Sequence, residues 1–181
     1  MRMDVSDEDL VAAALRGDAD AFSALVARHY DTIYRFAFRM LGQKAEAEDL
    51  AQDVCAALAQ KIGSWSGSGR FTTWLYRVVA NAATDRFRRR QTRDRAAEGW
   101  GETALLARDA ASEAQAEIEW LHQAMARLSP DLRATVALVL GEEMTHAEAA
   151  AALDISEGTV SWRMSEVRRE LRRLADEEAR T

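Results

Sequence analysis

Apolar positions recur at three- and four-residue steps along most of this chain, the spacing of one face of an α-helix. Between Asp18 and Gly42, the residues Phe22, Leu25, Val26, His29, Ile33, Phe36 and Met40 share such a face. Asp18 or Asp20 opens that helix and Gly42 closes it. Ahead of it, Ser6 followed by Asp7, Glu8 and Asp9 predicts a helix start with acidic residues at the positive dipole end, running to about Arg16 and stopped by Gly17. A third helix, Ala45 to Ile62, carries Leu50, Val54, Leu58 and Ile62 inward and Glu46, Glu48, Asp49, Gln52 and Asp53 outward. Gly63 stops it, and a polar loop of Ser64, Trp65 and Ser/Gly residues leads to Arg70. A fourth helix, from about Phe71 to Arg90, is apolar first (Trp74, Leu75, Val78, Val79, Ala82) and basic at its end (Arg86, Arg88, Arg89, Arg90).

Periodicity weakens over residues 96–111, which read as a linker with a reach of about 50 Å when extended. A fifth helix is expected from near Ser112 to Leu128. Ser129-Pro130 then supplies a cap and a proline at the first helical position. The helix it opens shows Leu132, Val136, Val139 and Leu140 as its inner stripe, and Gly141 closes it. Thr145 with Glu148 forms a capping box for a short Ala-rich helix ending at Leu153. After the turn Asp154-Ile155-Ser156, a last helix runs from Glu157 to about Ala175 with Val160, Met164, Val167, Leu171 and Leu174 inward. The pattern predicts an all-α chain of two small helical domains, 1–95 and 112–181, joined by a flexible linker at 96–111.

Composition agrees: 181 residues, 48% hydrophobic and 30% charged, with 9 Gly and a single Pro. Cys55 stands alone, so no intramolecular disulfide forms. No apolar run approaches the ~20 residues that span a bilayer, and Met1 to Leu10 is too acidic for a signal peptide, so the expected compartment is the cytoplasm. The net charge of -6 is unevenly spread. Between Arg70 and Arg95 stand eight Arg and two Asp, a local +6 that leaves -12 for the remainder. A basic block within an acidic chain suits phosphates on one surface and a different partner on another.

Two constellations carry chemistry. Thr145 to Leu171 has the pattern of a helix-turn-helix, whose second helix places its first turns at base edges in the major groove. With Val160, Met164 and Val167 inward, Thr159, Ser161, Trp162, Arg163 and Ser165 are left to reach DNA, and Arg168, Arg169, Arg172 and Arg173 suit phosphates. Glu157 either accepts from a cytosine amino group or serves the helix dipole. The second constellation interleaves aromatics with Arg: Trp65, Phe71, Trp74 and Tyr76, then Arg77, Asn81 and the Arg block. Bases stack on rings while Arg holds the backbone, as single-stranded DNA requires, and the Gly/Ser loop offers room for a flipped base. Trp74 and Leu75 read equally well as core.

Taken together these segments resemble a bacterial extracytoplasmic-function (ECF) sigma factor, over nearly the whole chain. DADAFSALVARHYDTIYRFA (18–37) is similar to the start of sigma region 2. EDLAQDVCAALAQKI (48–62) is similar to the helix that the family presses on the polymerase clamp. RFTTWLYRVVANAATDRFRRR (70–90) resembles the helix that melts and reads the minus-10 element. Residues 128–171 resemble region 4, which reads the minus-35 element. The resemblance implies a transcription initiation factor that binds core RNA polymerase and promoter DNA, duplex and melted, with an anti-sigma factor as a further partner. It makes Asp49, Gln52 and Asp53 polymerase contacts. Trp65, Arg70, Phe71, Trp74, Arg77, Asn81, Asp85, Arg88 and Arg89 become minus-10 residues. Glu157, Thr159, Ser161, Trp162, Arg163, Ser165 and Arg168 become minus-35 residues. The acidic Glu98, Glu102 and Asp109 of the linker would suit a basic path through polymerase. Trp162 stands where relatives often carry a small residue, and Ser161 and Glu166 where they often carry basic ones.

Two other readings explain less. A stand-alone helix-turn-helix regulator leaves the amino-terminal motifs without a role, and a sigma mimic that binds an anti-sigma factor has no need of the Arg block. An enzyme is not expected: His29, His122 and His146 have no metal-site spacing, Cys55 sits on the apolar side of its helix, no Gly-rich phosphate loop occurs, and no cofactor is implied.

Overall fold

A computed structural model describes residues 5–97, 120–121, 123–178 and 180. Among these residues every regular element is helical. Four helices form the amino-terminal bundle: α1 (Asp7–Leu15), α2 (Ala19–Leu41), α3 (Lys44–Lys61) and α4 (Phe71–Ala97). The carboxy-terminal unit contains helical residues between Trp120 and Arg127, then α5 (Pro130–Val136), α6 (His146–Leu153) and α7 (Glu157–Glu178). The helix α4 continues seven residues past the expected end at Arg90 and takes in the first two positions of the expected linker. The rest of that linker, with Glu98, Glu102 and Asp109, lies outside the described residues, as do Ser112 and His122.

Caps fix most of the boundaries. Ser6 accepts from the Asp9 N–H at 3.1 Å and starts α1. Asp18 accepts from the N–H groups of Asp20 and Ala21, both at 3.0 Å, and starts α2. Gly42 ends α2 in the left-handed region, φ 74°, where a side chain would be strained. The core of the bundle is built from the inward rows of three helices. Leu25, Ile33, Phe36 and Met40 of α2 meet Leu50, Val54 and Leu58 of α3 and Leu75 and Val79 of α4. Phe36 meets the edge of the Tyr76 ring at 5.1 Å. His29 is buried and bonds Asp7 across 2.9 Å, which ties α1 to α2.

Burial on α4 spreads over more than one row, since Tyr76, Ala80 and Ala83 are covered as well as Phe71, Leu75 and Val79. The reason is that α4 packs on two sides, against α2 and α3 and against α5 and α6. The carboxy-terminal unit has a core of small residues, Ala134, Ala137, Ala149, Ala150 and Ala152, closed by Leu138, Val160, Met164, Val167 and Leu174. Here the expected inner stripe is corrected. After Val136 the helix widens into a π turn, Ala137–Gly141, and the phase slips. Leu138 is fully buried and Leu140 is 65% exposed.

Candidate DNA-reading and docking surfaces

The outer face of α3 is acidic and partly engaged. Asp49 and Gln52 are exposed. Asp53 is exposed too, but its carboxylate accepts from Arg86 Nη2 at 2.7 Å. Arg86 also donates to the Glu46 carbonyl at 3.1 Å, and Arg90 donates to the Glu46 carboxylate at 3.2 Å. The Arg block is therefore divided. Arg86 and Arg90 reach back to α3, Arg90 from an exposed position, while Arg88 and Arg89 are exposed, Arg88 beside Asp85.

Between α3 and α4 the chain makes a 3-10 turn, Ile62–Ser64, and then a loop held by a Ser66–Ser68 hydroxyl contact of 2.6 Å. Gly67 and Gly69 take φ of 74° and 84° in this loop. The half-buried Trp65 packs edge-on to the Phe71 ring, centroids 5.5 Å apart. Its indole N–H is buried and has no acceptor among the described residues. Phe71 is only 2% exposed and packs between His29, Trp65 and Trp74. This corrects the expectation of a DNA-facing Phe71: its ring is the floor beneath the loop. Trp74 is half-buried against the same ring.

Further along α4, positions 77, 81, 85 and 88 follow at steps of four, four and three, one face of a helix. Asn81, Asp85 and Arg88 are exposed there, with Asp85 and Arg88 in a loose pair at 3.8 Å. The first residue of this row is engaged elsewhere: Arg77 donates to the carbonyls of Ala151 and Ala152 at 2.5 and 3.3 Å. Arg70 is exposed and lies 3.8 Å from the Glu148 carboxylate.

The helix-turn-helix is set by two caps. Thr145 accepts from the Glu148 N–H while Glu148 accepts from the Thr145 N–H at 2.9 Å, completing the box that opens α6. These bonds from Thr145 hold the Glu148 carboxyl below its ordinary range. Asp154 ends α6 at φ 58°, left-handed, and Ser156 accepts from the Thr159 N–H at 3.0 Å to start α7. His146 and Ser161 share a 2.9 Å hydrogen bond between the two helices. Along the outer face of α7, Glu157, Ser161, Trp162, Ser165 and Arg168 are exposed, Trp162 by 60%. Thr159 is half-buried against Ser156. A shallow groove further along is lined by Ser165, Arg168, Arg169, Arg172, Arg173 and Asp176. Arg163 departs from the expected phosphate contact. Its side chain is 15% exposed and points inward to Asp131 and the Thr135 hydroxyl, each 3.5 Å away.

Sequence reasoning passed over Arg133 and Glu142. Arg133 is buried at 5% exposure between the two halves, and desolvation lowers its pKa. Its sequence signal was an Arg flanked by apolar positions of α5.

The comparisons with known proteins agree along the chain. Residues 25–93 match Sigma-70 region 2, and residues 118–171 match Sigma-70, region 4. The chain is 31% identical over 173 residues to the ECF RNA polymerase sigma factor SigM of Mycobacterium tuberculosis, covering 96% of this chain and 86% of that one. It is 31% identical over 173 residues to the RNA polymerase sigma-H factor of Pseudomonas aeruginosa, covering 90% of each. Among solved structures it resembles CnrH in complex with the cytosolic domain of CnrY, with a TM-score of 0.66 and 26% identity, over 94% of this chain and 97% of that one.

Proposed function

The chain belongs to the ECF RNA polymerase sigma factor family, and from that premise we propose that it binds core polymerase through α3 and reads two promoter elements with two different surfaces. The minus-10 element falls to the row on α4, with Asn81, Arg88 and Arg89 as phosphate and base contacts and the Trp65 loop as the pocket for an unstacked base. Unstacking a base costs a few kcal/mol, which such a pocket offsets. The minus-35 element falls to α7, with Ser161, Trp162 and Ser165 toward base edges and Arg168 toward phosphate. Asp49 and Gln52 are the polymerase contacts with no competing partner to displace among the described residues, and Asp53 joins them once released from Arg86. An anti-sigma protein domain is the expected restraint. The domain division remains as read from the chain: a region 2-like unit, a linker and a region 4-like unit.

The division of the Arg block supports this reading most. Two Arg residues neutralise α3, and two stay exposed beside Asn81, on the same helix as the aromatic-walled loop. A solvated basic face would have no reason to be sorted in this way. The test is run-off transcription with core polymerase on a promoter library, with and without the protein. Discrete start sites that depend on the protein are expected. They should weaken by roughly tenfold or more in an Arg88→Ala/Arg89→Ala variant, since each phosphate contact adds to a salt-dependent affinity. Tight duplex binding by the protein alone, with no effect of core polymerase, would sink the proposal.

A further inference from the structure

The two serine hydroxyls on the reading face of α7 are held differently. A serine inside a helix ordinarily turns its hydroxyl to water or to the carbonyl four residues back. Ser165 does the second, donating to the Ser161 carbonyl at 3.1 Å. Ser161 bonds across to another helix instead. Its Oγ lies 2.9 Å from Nδ1 of His146, the first residue of α6. The reciprocal bonds between Thr145 and Glu148 fix the turn from which His146 projects. His146 is half-buried, while Ser161 is exposed next to Trp162. A side chain outside the reading helix therefore orients a hydroxyl on the face proposed to meet base edges.

The polarity of that bond decides what the hydroxyl can read. A hydroxyl carries one proton and two lone pairs. If Nδ1 accepts, the proton is committed to His146, and Ser161 offers DNA only lone pairs. If Nδ1 donates, the proton is left for DNA. The position of His146 favours the first arrangement. At the start of a helix the leading N–H groups have no intrahelical acceptor and form the positive end of its dipole. Nδ1 is the ring nitrogen nearer the backbone, so a lone pair suits that site better than another N–H.

We infer that His146 is a specificity-determining positioning residue: by taking the Ser161 proton, it leaves that hydroxyl able only to accept from a base edge. In the major groove such a group is met by the amino groups of adenine and cytosine, whereas the polar groups of guanine and thymine are acceptors alone. Ser165, its proton committed to a backbone carbonyl, presents the same polarity one turn further on. The assignment rests on the proposed minus-35 reading by α7 and adds a residue behind that helix which sets its preference.

The full chain in holoenzyme tests this on duplexes in which each minus-35 base pair is changed in turn to the other three, with relative affinity measured by competition. One pair should prefer adenine or cytosine on the strand facing Ser161 by about threefold to tenfold, the range of a single hydrogen bond made or left unmade. Ser161→Ala should identify that pair by abolishing its preference alone. His146→Ala frees the hydroxyl to donate or accept. It should flatten the same pair and no other, leave the thermal midpoint nearly unchanged, and add nothing when combined with Ser161→Ala. His146→Asp keeps an acceptor and should retain the preference, since a uniform loss of affinity from its charge carries no sequence information. A parent preference for guanine or thymine that turns to adenine or cytosine in His146→Asp overturns the polarity. Unaltered preferences in Ser161→Ala or His146→Ala, or losses spread evenly over all pairs, overturn the assignment and leave minus-35 reading in place. A parent chain indifferent to every minus-35 change overturns that reading and the assignment together.

Discussion

The two halves of the molecule are stabilised by different means. The amino-terminal bundle is filled by large side chains, with Phe36, Phe71, Leu25, Ile33, Met40, Leu50, Leu58 and Leu75 all nearly inaccessible. The carboxy-terminal unit relies more on alanines, a π turn and two buried polar residues, Arg133 and Thr135. Small residues let α6 and α7 cross closely, as a helix-turn-helix needs, but they bury little area each, and hydrophobic stabilisation scales with area. The bundle has the larger apolar core of the two. The smaller unit sends Arg133 to a carbonyl of α2 and sets Glu142 against α2 and α4. The smaller unit therefore owes part of its order to its neighbour.

The largest expected effect is on the bundle. Phe71→Ala removes the ring that Trp65, Trp74 and His29 share, at a cost of about 3–5 kcal/mol. Chemical denaturation should register the loss, and transcription from a melted template should fail with it because the loop above has lost its floor. Smaller, and diagnostic of the comparison, is Arg133→Ala. It strands carbonyls of Met40, Ala126 and Leu128, which now share the guanidinium at 2.8–3.1 Å. A loss of about 2–3 kcal/mol is expected for charge-assisted bonds of this kind. Hydrogen exchange should rise in residues 130–178 well before it rises in α2 and α3. Equal loosening of both halves would mean that the smaller unit does not lean on the larger.

The sequence pattern located the helices because local rules decide them: the caps at Ser6, Asp18, Ser129 and Thr145 and the stop at Gly42 are short-range chemistry. Faces were legible while the helix stayed regular. The π turn after Val136 exchanged Leu140 for Leu138, because one wide turn rotates every later position and leaves no mark in the pattern. Partners of long side chains were least legible. Arg163 lies one position from the exposed Trp162 and faces inward only because Asp131 and Thr135 are within its reach. The split of the Arg block is similar: Arg86 and Arg88 differ by two residues, 200° around the helix, and only the placement of α3 says which one is held. Contacts between the two halves were invisible because they join residues about 100 positions apart, such as Arg39 and Glu142.

Finer contrasts test the capping chemistry of the smaller unit. Thr145→Ala removes the N-cap of α6 and should cost about 1 kcal/mol, read as a shift in thermal midpoint confined to the transition of residues 130–178. Glu148, the other half of the box, gives that unit a pH dependence. Its folded-state pKa lies below the ordinary 4.5, chiefly through the backbone and side-chain bonds from Thr145. A depressed acid stabilises the fold above its unfolded pKa and loses that contribution as pH falls through the folded value. The protection factors of the α6 amides, corrected for the intrinsic exchange rate at each pH, should therefore fall as the pH drops below about 4.5, and Glu148→Gln should flatten that dependence without altering the amides of α2.

The smallest expected effect on stability belongs to the residue with the largest expected effect on recognition. Trp162 projects from α7 with 60% of its surface exposed and Val160 and Met164 buried behind it. Replacing an exposed side chain that closes no cavity and leaves no buried polar group unpaired changes stability by about 0.5 kcal/mol at most. Trp162→Ala should leave the thermal midpoint where it is. It should lower transcription from promoters that depend on the minus-35 element and leave binding of a melted minus-10 strand unchanged. A drop in stability of several kcal/mol would place the indole in the packing of the smaller unit, and the contrast between a bundle with the larger apolar core and a reader that spends its surface on DNA would fail at that residue.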